Sequence, residues 1–148
     1  MLINTRDFGQ IDINEDEIIR FPEGLYGFPH VTRYVILRQD DEDSPVLWLQ
    51  SVEDTFPSFV IMDAESIVDE YKVSLPKKVL ETLETNRGGK LQYFVIAVIP
   101  KDIKDMTVNM KSPIVVNFEG KVALQVILED SAYQIRHRVF EDGKVLSC

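Results

Sequence analysis

Residues 91–137 read LQYFVIAVIPKDIKDMTVNMKSPIVVNFEGKVALQVILEDSAYQIRH, and this stretch decides the fold class. It holds five short runs rich in apolar side chains, and residues that favour turns, such as Pro100 and Gly120, separate the runs. Many short strands at near-regular spacing are typical of an antiparallel sheet that closes or folds back on itself. The five predicted strands are residues 91–99, 106–110, 114–118, 122–128 and 132–137.

The first half of the chain continues the alternating pattern. Residues 10–14 alternate polar and apolar side chains, which predicts a hairpin with residues 1–4 and a turn near residues 7–9. We therefore predict a mostly β protein, in which residues 1–148 form a single antiparallel β-barrel-like domain. Further strands are predicted at residues 18–21, 34–37, 46–50, 58–62 and 71–73.

One short α-helix is predicted at about residues 76–85. Ser74 is the predicted cap, and Pro76 falls in the first turn, where its missing N–H does no harm. Residues 86–89 contain asparagine and two glycines, which favour the end of a helix. A helix of about ten residues needs packing against the sheet to persist, and its predicted apolar face is formed by Val79, Leu80 and Leu83.

The formal net charge of −9 is concentrated in the first half of the chain. Residues 1–70 hold four basic and sixteen acidic residues, whereas residues 71–148 hold twelve basic and nine acidic residues. Such an acidic surface disfavours direct binding of nucleic acid, because phosphates require neutralising lysine and arginine. It favours solubility and long-range attraction to a basic partner.

The sequence also predicts the compartment. No apolar run approaches the ~20 residues that span a bilayer, and the first residues lack the pattern of a signal peptide. The single cysteine, Cys148, excludes an intrachain disulfide and a cysteine zinc cluster. We therefore expect a cytoplasmic protein that does not bind membranes.

Residues that carry catalysis in other proteins are sparse in this chain. Histidine occurs only as His30 and His137, and the sequence places neither beside an orienting carboxylate. The consecutive carboxylates at residues 40–43 lack the alternating ligands and the glycine of an EF-hand, which favours a solvated turn over a calcium site. No predicted helix follows Gly24 and Gly27, as a phosphate-binding loop would require. We expect no metal and no cofactor.

Residues 21–28 read FPEGLYGF and concentrate large apolar side chains in a predicted loop. Two interpretations stay open: the loop folds back as a plug over an open barrel end, or it presents an apolar contact patch. A third possibility is a pocket under residues 21–28, in which case the chain is a small β-barrel enzyme or a ligand-binding module.

Several stretches, spread over nearly the whole chain, together resemble the FliW family. The strongest is the late block that reads Asn109-Met110-Lys111-Ser112-Pro113-Ile114-Val115-Val116-Asn117, with Gln125-Val126-Ile127-Leu128 behind it. The other stretches are Ile3-Asn4-Thr5, Phe8-Gly9-Gln10-Ile11, Phe21-Pro22-Glu23-Gly24-Leu25, Gly27-Phe28, Leu49-Gln50-Ser51-Val52-Glu53, Phe59-Val60 and Tyr133-Gln134-Ile135-Arg136-His137.

The resemblance implies a flagellar assembly factor with a barrel-like fold and no enzymatic activity. It implies two protein partners, flagellin and CsrA, a small dimeric RNA-binding repressor. In that scheme free flagellin occupies the factor and leaves CsrA to repress flagellin mRNA. Once flagellin is exported, the released factor removes CsrA from the message.

Two sets of residues are our candidates for these contacts. The first set is the candidate recognition residues, which are Gly24, Leu25, Tyr26, Gly27, Phe28, Asn109, Lys111 and Asn117. The alternative, that these residues serve turn geometry and buried strand pairing instead, stays open. Carboxylates docked beside a basic RNA-binding groove would repel phosphates over roughly a Debye length, about 8 Å at physiological salt. The residues predicted to exclude RNA in this way are Asp40, Asp41, Glu42 and Asp43.

Overall fold

The computed structural model of the chain describes residues 1–39, 44–85, 90–129, 131–141 and 144–145. Within these ranges the regular structure is mostly β-strand, with one short α-helix, α1, at Lys77–Thr82 and three single-turn 3-10 helices at Glu15–Glu17, Ala64–Ser66 and Ile103–Asp105. In chain order the strands of the described ranges are β1 Leu2–Asn4, β2 Gln10–Asp12, β3 Ile19–Arg20, β4 Arg33–Leu37, β5 Val46–Ser51, β6 Ser58–Asp63, β7 Leu91–Val98, β8 Thr107–Val108, β9 Ile114–Asn117, β10 Val122–Gln125, β11 His137–Arg138, β12 Phe140–Glu141 and β13 Lys144–Val145.

Seven of these strands close into a barrel, which confirms the predicted fold class. The strand order is β7, β6, β5, β4, β3, β10 and β9, and β9 then pairs with β7 to complete the circle. The closing pair runs from Leu91 opposite Asn117 to Phe94 opposite Ile114. All neighbours in the circle are antiparallel except β3 and β10, which are parallel.

Strand β7 is long enough to belong to two pairings on one edge. Its first half pairs with β9, and its end pairs with β8, where Ala97 lies opposite Val108. Beyond β8 lies β11, with His137 opposite Val108. A predicted hairpin is confirmed at the N-terminus, where Ile3 of β1 lies opposite Ile11 of β2.

The core of the barrel is filled by the inward-facing side chains of its strands. Leu49 and Ile61 are fully buried there, together with Phe21 and Leu25 from the loop that follows β3. Such alternation of inward and outward residues is what the period-2 pattern predicts. Outside the barrel, the buried Leu83, which directly follows α1, packs with Val115 and Leu124, and Val79 of α1 packs against this cluster.

Helix α1 is shorter than the predicted span of residues 76–85. The residue that precedes it is Pro76, and no side chain caps its first turn, so the expectation for Ser74 is wrong. The helix ends before Glu84, whose φ of 59° is a left-handed conformation that stops an α-helix. The stop signals at residues 86–89 lie outside the described residues.

The predicted strand at residues 71–73 is wrong, because side chains rather than a backbone ladder hold this segment. The Tyr71 hydroxyl donates to the carbonyl oxygen of Met110 at 2.5 Å, and the Lys72 N–H donates to the Tyr133 hydroxyl oxygen at 2.9 Å. The rings of Tyr71 and Tyr133 lie 4.7 Å apart. Residues 132–136 are not a strand either, although the Gln134 carbonyl oxygen accepts from the Met110 N–H at 2.9 Å, and His137 is the residue of the predicted run 132–137 that lies in a strand.

Candidate protein-interaction surface

The loop of residues 21–28 depends on a glycine. Gly24 has φ of +64°, and a Cβ at this position would lie 2.5 Å from the carbonyl oxygen of Phe28. Its N–H donates to the Phe21 carbonyl oxygen at 2.9 Å, which forms the first turn. A second turn follows, in which the Phe28 N–H donates to the Leu25 carbonyl oxygen at 2.8 Å and Gly27 has φ of +89°. The glycines thus fold the loop back on itself.

The side chains of this loop divide between the core and the solvent. Phe21 and Leu25 are buried in the barrel core, and the Phe21 ring meets Tyr34 edge-on at 5.0 Å. Tyr26, in contrast, is 61% exposed. Phe28 is half-buried between the plug and the surface. Phe21 and Leu25 therefore act as the plug of the first interpretation, whereas the exposed Tyr26 is available for contact, and the contact itself stays a prediction.

A second aromatic side chain stands beside this loop. Phe56 is 60% exposed, and its ring contacts Phe28 at a centroid distance of 5.5 Å. Phe28 in turn contacts Phe59 of β6 at 5.6 Å. Tyr26 and Phe56 each expose a ring on loops at this end of the barrel, and the half-buried Phe28 contacts Phe56; we call these three side chains the aromatic patch.

The late candidate residues are engaged in turns. The Asn109 side-chain oxygen accepts from the N–H groups of Lys111 at 3.1 Å and Ser112 at 3.0 Å. The Asn117 amide donates to the Leu83 carbonyl oxygen at 2.7 Å, and its oxygen accepts from the Gly120 N–H at 3.2 Å. These contacts match the alternative role that the sequence left open. Recognition of a partner by Asn109, Lys111 or Asn117 stays a prediction.

Gln125 joins the early and the late candidate segments, and sequence reasoning missed this role. Its side-chain oxygen accepts from the Tyr26 N–H at 3.0 Å, and its side-chain nitrogen donates to the Ser112 carbonyl oxygen at 3.3 Å. The sequence signal was a polar residue within the apolar run 122–128. Strand pairing uses only backbone groups, so it does not require a polar side chain at this position.

A groove of about 540 Å³ runs between the loop and α1. Tyr26 and Gly27 form one wall, and Lys78 and Val79 of α1 form the other. Its floor is residues 124–127. Among the described residues that line it, the carboxylate is Glu23 and there is no histidine. The third interpretation expected a pocket under residues 21–28; this groove is lined by part of that loop and, among its described residues, holds no carboxylate–histidine pair.

The two histidines lie elsewhere. His30 is exposed in the turn after the loop. Burial lowers the pKa of His137, whose Nε2 is buried and has no hydrogen-bond partner among the described residues. Neutral imidazole is the form that this environment favours. In the described part of the chain, no three His, Cys, Asp or Glu side chains are grouped as a metal site.

With this geometry in place, comparisons with known proteins decide the family. The sequence model of the FliW protein family matches residues 2–139. The chain belongs to the FliW family of flagellar assembly factors. It is 37% identical over 142 residues to the flagellar assembly factor FliW of Alkaliphilus metalliredigens (strain QYMF), which covers 96% of this chain and 88% of that protein.

Other FliW proteins agree in sequence and in structure. The flagellar assembly factor FliW of Bdellovibrio bacteriovorus is 37% identical over 140 residues, covering 95% of this chain and 79% of its own length. A crystal structure of the flagellar assembly factor FliW superposes with a TM-score of 0.89 at 31% identity, covering 96% of this chain and 99% of that one. The closed barrel is thus the fold that a solved FliW structure shares.

Two further expectations concern the acidic run and the membrane. The candidate residues Asp40, Asp41, Glu42 and Asp43 lie outside the described residues, between β4 and β5. In the described part of this FliW-family chain, none of the helices has the length and apolarity that crossing a bilayer requires.

Proposed function

We propose that this chain is a non-enzymatic partner-switching protein of the cytoplasm, which binds flagellin and CsrA in alternation. Bound to flagellin, it leaves CsrA free to repress flagellin mRNA. Released when flagellin is exported, it binds CsrA and restores translation of the message. It acts through protein contacts, binds no nucleic acid directly and needs no cofactor.

The observation that carries this proposal is the aromatic patch on the plugged end of the barrel. Tyr26 is 61% exposed and Phe56 is 60% exposed, although the backbone beneath each ring is fixed by turns and hydrogen bonds. Exposed aromatic side chains on a rigid support are favoured anchors of protein–protein interfaces. Membership of the FliW family supports flagellar assembly as the process in which such contacts serve.

Charge supports the direction of the effect on RNA. The first half of the chain contains sixteen acidic residues and only four basic ones. A CsrA surface that binds RNA must itself be basic. Docked at the edge of that surface, Asp40, Asp41, Glu42 and Asp43 would add negative potential over about 8 Å at physiological salt. RNA is then displaced by repulsion as well as by direct blocking.

One titration tests the switch. A complex of CsrA with labelled flagellin mRNA leader is titrated with this chain, with and without equimolar flagellin, and RNA release is followed by fluorescence anisotropy. We expect release by the chain alone and restored RNA binding when flagellin is added. Release that flagellin does not reverse, or no release at all, would contradict the proposal.

A charge variant tests the electrostatic step separately. The variant D40N/D41N/E42Q/D43N should displace RNA less well, and its displacement should depend less steeply on salt. The matched control E81Q/D102N/D105N/E119Q removes as many charges from the second half of the chain. Equal displacement by the two variants at every salt concentration would exclude a special role for residues 40–43.

The groove beside residues 21–28 does not favour the rival class of a small β-barrel enzyme. General acid–base or nucleophilic chemistry needs a base oriented by a second group. The groove offers Glu23 and Lys78 as charged groups, and both histidines lie outside its lining. We therefore propose protein binding alone for this end of the barrel.

A further inference from the structure

Strand β10 is fully paired along one edge. Its residues run antiparallel to β9, from Val122 opposite Asn117 to Gln125 opposite Ile114. The ladder continues past the strand, because the Val126 N–H donates to the Pro113 carbonyl oxygen at 2.9 Å and the Leu128 N–H donates to the Lys111 carbonyl oxygen at 2.8 Å. The even-numbered residues therefore direct their backbone groups towards β9.

The opposite edge of the same segment is paired only at its beginning. Strand β3 pairs with β10 only where Arg20 lies opposite Val122, and the chain then leaves for the loop of residues 21–28. Because backbone groups alternate along a strand, Gln125 and Ile127 direct theirs towards this vacant edge. Within the described ranges no backbone group bonds to the N–H or C=O of either residue. Segment 125–127 is thus an open strand edge.

A groove made of two adjoining cavities lies at this edge. The cavity of about 540 Å³ described above and a second one of about 410 Å³ both have Val126 and Ile127 in their lining. Beyond the edge, Tyr26 and Val79 face the first cavity, and Pro76 faces the second. The edge is therefore neither covered by another strand nor flat against the solvent, and apolar side chains flank it.

The charges along the groove are balanced, unlike those of the whole chain. Glu23 and Lys78 belong to the first cavity, and Lys72 and Glu129 to the second. The described lining therefore has a formal net charge near zero, in a protein of net charge −9. The complementary occupant is a segment without net charge, whose binding gains little from long-range attraction.

We propose that this groove binds an extended, uncharged segment of a partner protein, which adds to segment 125–127 as a further β-strand. Pairing with residues 125–127 takes at least three residues of the partner, which span about 7 Å because a strand rises ~3.3 Å per residue. Its backbone pairs with Gln125 and Ile127, and its alternate apolar side chains pack on Val79 and Tyr26. The inference rests on the proposed function, because it names the form in which a partner meets the loop of residues 21–28.

An extended strand is the occupant that the open backbone groups select. A helix uses its own N–H and C=O groups internally and cannot pair with the amide of Ile127. Strand addition satisfies that amide directly, while pockets on either side select alternate side chains. Ile127 itself is 41% exposed, which leaves its side chain available for contact as well.

The test uses a displayed library of random 12-residue peptides, selected on the full-length chain. We expect enriched peptides with alternating apolar residues and no net charge, whose affinity changes little between low and high salt. Ile127→Pro removes an N–H that no backbone group of the described residues accepts, and should weaken binding of these peptides about tenfold or more, as loss of an interface hydrogen bond does. The matched control Ile127→Val keeps the N–H and should retain binding.

A second measurement does not depend on the folding of a variant. In the native chain, bound peptide should slow hydrogen exchange of the Ile127 amide. N-methylation of every second peptide amide should abolish binding when the methylated amides are those that pair with the strand edge, and should leave binding intact when the other set is methylated. A library without binders, equal binding to the proline variant, or an unprotected Ile127 amide would overturn the inference. So would a dimer of this chain that the selected peptides dissociate, since the occupant would then be a second copy.

Failure of this inference and failure of the proposed function give different results. If the chain binds flagellin and CsrA but Ile127→Pro binds both as tightly as the native chain, the partner-switch proposal stands and strand addition is wrong. If the selected peptides bind as expected while the chain binds neither flagellin nor CsrA, the groove stands as a peptide-binding site and the proposed identity of the partners is wrong.

Discussion

Two loops on the same end of the barrel each expose an aromatic ring, but they are held in different ways. The loop of residues 51–57 surrounds Gln50, which is 1% exposed and whose side-chain nitrogen lies 3.0 to 3.1 Å from the carbonyl oxygens of Ser51, Asp54 and Thr55. The loop of residues 21–28 has no such centre. Its shape comes from glycine backbone conformations and from Gln125, which holds it from outside.

The difference shows two solutions to one physical problem. A surface loop must satisfy its backbone polar groups without a neighbouring strand. Loop 51–57 uses the buried side-chain amide of Gln50. The oxygen of this amide also accepts from the Arg6 N–H at 3.1 Å, which connects the N-terminal hairpin to the barrel. Loop 21–28 uses its own turns and buries Phe21 and Leu25 instead. We therefore expect substitutions in the first loop to destabilise the protein by removing hydrogen bonds, and substitutions in the second loop to destabilise it by straining the backbone.

The largest effect should come from Gly24→Ala. The new Cβ would lie 2.5 Å from the Phe28 carbonyl oxygen and 2.7 Å from the Pro29 Cα, in a backbone conformation with φ of +64°. We expect the free energy of unfolding to fall by ~3 kcal/mol or more, measured by urea denaturation. Gly27→Ala is the control: φ is +89° but nothing lies within 4 Å, so strain alone should cost ~1 kcal/mol. Equal losses would show that the contact with Phe28 does not matter.

Gln50→Leu should have the next largest effect, by removing the centre of the other loop. The substitution leaves the Arg6 N–H and the surrounding carbonyl oxygens without their partner in a site that is mostly buried. Such losses are expected to lower the free energy of unfolding by ~3 kcal/mol, again by urea denaturation. Gln10→Leu is the control, because its side-chain bond is exposed and 3.4 Å long, and it should change stability by less than ~0.5 kcal/mol.

Sequence reasoning predicted the barrel well and the two glutamines poorly, and the reason is physical. Strand alternation is a local property, so the hairpin of residues 1–14 and the strands that line the core follow from it. Gln50 and Gln125 act on segments that are 44 and 99 residues away, on Arg6 and Tyr26. No local pattern encodes such a contact. The same holds for residues 71–73, which resemble a strand in sequence but are held by a hydrogen bond from Tyr71 to the distant Met110.

Gln125→Leu should have a moderate effect on stability and a clear one on the loop. It removes the acceptor of the Tyr26 N–H and the donor to the Ser112 carbonyl oxygen, at a half-buried position. A loss of ~1 kcal/mol is expected, together with faster hydrogen exchange of the Tyr26 amide. The control Gln92→Leu changes an exposed glutamine of β7. An unchanged exchange rate at Tyr26 would mean that the turns alone hold the loop.

The smallest effect at neutral pH should come from Tyr34→Phe, beneath the plug. The Tyr34 hydroxyl is buried and has no hydrogen-bond partner among the described residues, so its removal should change stability by less than ~1 kcal/mol, and a gain is the expected sign. Burial also raises the pKa of Tyr34 from 10.0 to about 12. Below pH 10 the phenol is neutral in both the folded and the unfolded state, and the side chain adds no pH dependence.

Above pH 10 the unfolded chain loses the Tyr34 proton first, so the native protein loses stability as the pH rises towards about 12. The slope from this one group approaches ~1.4 kcal/mol per pH unit. Tyr34→Phe should therefore be increasingly more stable than the native chain between pH 10 and pH 12, by urea denaturation at each pH. Parallel curves over that interval would mean that the hydroxyl reaches water. The plug of Phe21 and Leu25 would then be less tightly closed than the loop geometry indicates.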